Sequence, residues 1–194
     1  MDIRQLIAFL DRLEGDVHLM LPRLFAKAGK KTVHDFRVAV KRLRAFFDLT
    51  AGAFEAYTAA EAEEALRPVY KAAGRVRKWQ LIRQTLRKLE QKHDLDDRWS
   101  ERAAKEVAHA REQLQAMAEA FNVVPLREAC AAARSRWLHA EPEALSHRLD
   151  HYWDARLQRL HGWYQVHSQD EKAWHEARRD LKTLIYQLEA LHVA

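Results

Sequence analysis

The chain is short of the residues that interrupt helices. Among 194 positions there are five glycines and four prolines. That is too few to punctuate many tight turns, and no strand-like alternation, hairpin turn or low-complexity segment stands out. The single cysteine, Cys130, cannot form an internal disulfide, which fits a reducing compartment. No apolar run reaches membrane-spanning length. The N-terminal stretch "MDIRQLIAFLDRLEGD" is charged throughout and does not read as a signal peptide. The expected location is therefore the cytoplasm, with no membrane partner. Also missing are a Gly-rich phosphate loop, a Gly-x-Ser-x-Gly elbow and a cysteine-based zinc pattern.

What is present is alanine, leucine, glutamate and arginine, the composition of an all-α chain. Its length suffices for one domain with a real core. Helical periodicity predicts eight helices, near 3–21, 33–50, 54–66, 68–91, 98–121, 124–139, 143–166 and 170–192. Thr32 with Asp35, and Ser168 with Glu171, have the spacing of capping boxes. Pro68, Pro125 and Pro142 fall near predicted helix starts, where proline is tolerated. Pro22 is expected to end or kink the first helix. "KHDLDDRW" (92–99) reads as a polar loop between two halves.

The formal net charge is only +5, but it is segregated. Residues 23–44 hold eight Lys/Arg and one acid, and residues 67–92 hold nine and one. These segments carry +7 and +8, so the remainder carries −10. A solubilising surface would intersperse the signs. Segregation points to a polyanionic partner.

"TVHDFRVAVKRLRAFF" (32–47) concentrates the pattern. Phe36, Val40, Leu43 and Phe47 would face a core. His34, Arg37, Lys41 and Arg44 fall within about 80° of arc beside them. Cations so close need a counter-charge, and Arg and Lys bind phosphate oxygens well. His34 and Arg37 are expected in the helix's first turn, where free N–H groups favour anions. In the second basic segment, Lys71, Arg75 and Lys78 are spaced i, i+4, i+7, and Arg83 with Arg87 form another i, i+4 pair. Long basic side chains also snorkel over apolar surface into water, which is the alternative for the 83/87 pair. Trp79, Ile82, Leu86 and Leu89 are the expected core face there.

The stripe recurs. At an offset of 141 residues, His34, Arg37 and Lys41 align with His175, Arg178 and Lys182. The apolar stripe repeats as Trp174, Ala177, Leu181, Leu184 and Leu188. Two copies of a helical unit follow from this, repeat one about 1–92 and a truncated repeat two about 142–194, with connecting helices about 98–139.

His-x-x-Arg-x-x-x-Lys on a helix, duplicated in an all-α, basic chain, resembles the CHAD domain (conserved histidine α-helical domain). "HDFRVAVKRLRAFFDL" (34–49) and "HEARRDLKTLIYQLEAL" (175–191) carry the likeness. "AGRVRKWQLIRQTL" (73–86) resembles the Gly-x-x-Arg-Asp helix that closes the first repeat. The resemblance implies two helical repeats around a basic cavity. It also implies binding of inorganic polyphosphate with no catalytic activity and no cofactor, in the cytoplasm or at polyphosphate granules. The implied binding residues are His34, Arg37, Lys41, Arg44, Arg77, His175, Arg178 and Lys182. Arg75 and Lys78 join them from the second basic segment. Lys78 stands where the family has Asp, and Ile185 where the first copy has Arg44. Against the family's pattern the second repeat lacks its last basic helices. That leaves the cavity open on one side or completed by a second subunit in an oligomer.

Three other readings compete. Nucleic acid or another polyanion suits the charge, but aromatic residues do not interleave with the stripe as base stacking requires. An acidic protein partner would also meet the stripe. A metal-dependent phosphohydrolase is suggested by the His34-Asp35 and His93-Asp94 doublets, but further ligands are not evident. His147 and His151 are i, i+4 without a third ligand, so no metal site is assigned. Imidazoles gain charge on protonation, so polyanion binding is expected to be tighter near about pH 6 than about pH 8.

Overall fold

In the computed structural model, residues 2–166 and 171–193 are described. They form seven α-helices and no strand. These are α1 (Ile3–Ala26), α2 (Lys30–Ala53), α3 (Ala60–Lys92), α4 (Arg98–Gln115), α5 (Val124–Leu138), α6 (Pro142–Val166) and α7 (Glu171–Val193). None is long and apolar enough to cross a membrane.

The all-helical expectation is met, with seven helices in place of eight. The predicted break at Pro68 is absent, and α3 runs through it. Leu66 and Val69, on either side, are both buried, so the core holds the helix across the missing N–H. Likewise α1 continues past Pro22 to Ala26, held by buried Leu21 and Leu24. Pro125 and Pro142 do sit at helix starts. α2 begins at Lys30, with the Val33 N–H already bonded to the Gly29 carbonyl. Thr32 is thus inside the helix, and His34 and Arg37 lie beyond its first turn. The argument from free N–H groups does not apply to them. The Ser168 capping box falls outside the described residues.

The chain gathers into two compact units, residues 1–14, 41–59 and 127–194 in one and residues 15–40 and 60–126 in the other. In the first, Trp137 of α5 is fully buried against Phe46 and Phe54. Its indole N–H donates to Thr50 Oγ1 at 2.9 Å, and the Thr50 hydroxyl donates to the Phe46 carbonyl. Gln187 of α7 is equally buried, and its amide N–H groups reach the Ala45 carbonyl, Asp48 and the Tyr152 hydroxyl. Arg134 bonds Asp11 and Glu14. The buried face of α7 is Ala173, Leu184, Gln187 and Ala190. Of its expected stripe Leu184 is buried and Ala177 half-buried, while Trp174, Leu181 and Leu188 are about half exposed.

In the second unit α1 and α2 contribute Val17, Leu21, Leu24, Val33, Phe36 and Val40 to the core. α3 contributes Val69, Ala72, Ala73 and Val76, and α4 contributes Ala103, Val107 and Leu114. The expected α3 face is turned away from this core. Trp79, Ile82 and Leu86 are only half-buried and Leu89 is exposed, because α3 packs into the core through Ala72, Ala73 and Val76 instead. The turn between α1 and α2 is held by its carbonyls. Ala28 accepts from Gln80 Nε2 and Arg111 Nε, each at 3.1 Å, and Ala26 accepts from Gln115. Residues 93–97 link α3 to α4 inside this unit, with Asp94 at φ 49°. Glu90, buried at the end of α3, accepts the Ser100 N–H at 2.8 Å and so caps α4.

Candidate polyanion-binding site

α2 positions its cations by its own amphipathicity. Phe36, Val40, Leu43 and Phe47 are all buried, as their spacing predicts. Rotation from that face leaves Arg37, Lys41 and Arg44 half-buried and His34 exposed. Half-burial restricts the side chains and thins the water around their charge, so each attracts an anion more strongly than a freely solvated cation would.

In the second unit Arg37 is fixed from three sides by α3. Its Nη1 donates to the Tyr70 carbonyl at 2.9 Å, and the guanidinium carbon lies 4.3 Å from the Tyr70 ring centroid. A Cβ at Gly74 would come within 2.6 Å of Nη1, so the glycine makes room for the guanidinium. Residues 70, 74 and 77 follow one another at i, i+4, i+7, which places Arg77 on the α3 side that receives Arg37. Arg77 is half-buried, and its Nη1 is buried with no hydrogen-bond partner among the described residues. Arg75 lies about 160° round the helix from Arg77 and donates to Gln113 of α4 at 3.3 Å. Lys78 is exposed between them. The structure therefore brings Arg37 and Arg77 to one side and turns Arg75 away. Among the described residues no carboxylate is paired with Arg77.

In the first unit Lys41 and Arg44 are half-buried. On α7, His175, Arg178 and Lys182 are exposed and share one side of the helix. By the same periodicity that side continues to Tyr186 and Glu189. These two receive Arg42 of α2, which lies 3.2 Å from the Glu189 carboxylate and 5.8 Å from the Tyr186 ring centroid. Arg42 is thus an ion-pair partner and not part of the row. No group of three or more His, Cys, Asp or Glu gathers to hold a metal ion among the described residues. His147 and His151 are both exposed.

Residues outside the expected set complete the basic surface of the second unit. Lys30, one turn before His34, donates to Gln84 of α3 at 2.6 Å. With Arg83, Arg87, Lys88 and Arg111 it lines a cavity of about 300 Å³. The 83/87 spacing was visible in the sequence. Arg111 was not, because its helix carries both signs of charge and only the α3–α4 packing brings it there.

The family model for the CHAD domain matches residues 13–194, and the chain belongs to that family. A search of curated proteins and one of solved structures found no match.

Proposed function

We propose that this CHAD-family chain binds inorganic polyphosphate without transforming it. The family is linked to polyphosphate binding, and each unit presents a row of cations suited to phosphate oxygens. In the second unit the row is Arg37 and Arg77, with His34 and Lys78 at its margin and Arg75 turned away toward Gln113. In the first unit it is Lys41 and Arg44 on α2, with His175, Arg178 and Lys182 on α7. Arginine grips phosphate through its planar fork, while lysine adds point charge.

The observation that carries this reading is the state of Arg37 and Arg77. Arg37 is held by a carbonyl and a ring, and no carboxylate is among its described partners. Arg77 keeps a buried donor unsatisfied. A buried unpaired donor costs about 1–3 kcal/mol, a cost that is removed when the guanidinium turns toward a phosphate oxygen bound at the surface. Arg37→Ala and Arg77→Ala should each weaken binding of long-chain polyphosphate by about tenfold, as expected for one charge-assisted hydrogen bond, with helix content unchanged by circular dichroism. Wild-type affinity in both variants would mean that this row is not the binding surface.

A further inference from the structure

We infer that the cavity between the start of α2, the second half of α3 and α4 is a second phosphate-binding site, separate from the Arg37–Arg77 row. The inference deepens the reading above and rests on it for the natural ligand. Five cationic side chains line this cavity, Lys30, Arg83, Arg87, Lys88 and Arg111, and no carboxylate does. Three helices supply them, so the charge converges on one open groove and is not confined to a single helix face.

The site is built. Arg111 is braced through Nε on the Ala28 carbonyl, which fixes its guanidinium at the cavity wall. Gln80, only 8% exposed, holds the same carbonyl and also lines the cavity. Uncompensated positive charge gathered this closely opposes folding, and an anion offsets that repulsion.

The ligand class follows from size and charge. A cavity of about 300 Å³ admits a few linked phosphate groups, and no flat aromatic platform lines it for a base to stack on. On α2, Lys30, His34 and Arg37 are i, i+4 and i+7, so the cavity lies at the end of the side that carries the row. Tyr70 and Gly74 meet Arg37, and Gln84 meets Lys30, so α3 runs antiparallel to α2 along this side. A chain long enough to leave the row enters the cavity. A short oligophosphate occupies the cavity by itself.

The test uses the whole chain, linear tripolyphosphate and long-chain polyphosphate, with calorimetric titration at fixed ionic strength. The pocket variant is Arg83→Ala with Arg87→Ala, both exposed and therefore compatible with folding. The charge control is Arg127→Ala with Arg136→Ala, two exposed arginines outside this unit. Tripolyphosphate should bind the wild type, and the pocket variant should lose that affinity by tenfold or more. The charge control should stay within twofold. Amide shifts on adding tripolyphosphate should centre on residues 83–88 and 111. Equal loss in the charge control would reduce the cavity to general electrostatics and overturn the inference. So would unchanged tripolyphosphate binding in the pocket variant. If long chains bind and respond to Arg37→Ala while the pocket variant is silent, only this inference fails. If long-chain polyphosphate does not bind the wild type, the functional reading itself fails.

Discussion

Arg37 shows how much of this protein rests on one side chain's placement. Gly74 sits mid-helix, where alanine would be favoured by about 1 kcal/mol. An alanine there would meet the Arg37 guanidinium at 2.6 Å, and the end of a flexible side chain can move aside. Gly74→Ala should therefore leave stability within about 1 kcal/mol of wild type while weakening polyphosphate binding. Thermal unfolding and a binding titration on the same sample check both halves, and unchanged affinity would show that the Tyr70-held pose of Arg37 is irrelevant. Two other residues report on burial. Cys130 has its thiol pKa pushed from 9.0 up to about 12, first by desolvation and then by Glu14. Tyr152 is raised from 10.0 to about 12 by burial and by Asp48, against the opposing pull of Arg156. Both groups hold their proton more tightly when folded. Their contribution to stability is complete below their ordinary values and is lost as pH rises through about 12. Chemical denaturation should show stability falling progressively above about pH 9. Cys130 should react with a thiol reagent at neutral pH only when the protein opens, and rapid reaction of the folded protein would contradict its burial.

At the level of elements, the buried face of α2 was legible and that of α7 was not. On α2 the apolar positions 36, 40, 43 and 47 are all buried because helical periodicity and the available neighbours agree. On α7 the apolar residues outnumber the places that can bury them. The buried face centres on Leu184 and on Gln187, a polar residue that periodicity would place outside. Only its three partners, the Ala45 carbonyl, Asp48 and Tyr152, explain its burial, and no sequence pattern announces them. The same applies to α3, where Ala72, Ala73 and Val76 define the core face more than Trp79 or Leu89 do. Gln187→Leu should therefore destabilise the fold by about 1–3 kcal/mol, because it strands the groups it served. Leu188→Ala, half exposed one residue on, should cost no more than about 0.5 kcal/mol. Urea denaturation of the two variants compares them directly, and the opposite order would mean that α7 is rotated from the face described here.

For the molecule as a whole, charge segregation and the duplicated motif carried most of the functional reading. The stripe on α2 could be read from residue spacing alone. The contributions of Tyr70, Gly74 and Arg111 could not, since each acquires its role only when separate helices meet. The cationic rows are proposed to hold a phosphate chain in preference to other polyanions. The measurement that tests it most directly is a competition titration at fixed ionic strength, with labelled long-chain polyphosphate bound first. Orthophosphate, short polyphosphate, single- and double-stranded DNA and RNA then compete at equal phosphate concentration. Unlabelled long-chain polyphosphate should displace the label best, and DNA and RNA should displace it poorly. Displacement by DNA or RNA as effective as that by polyphosphate would contradict that preference and make the rows a general polyanion surface.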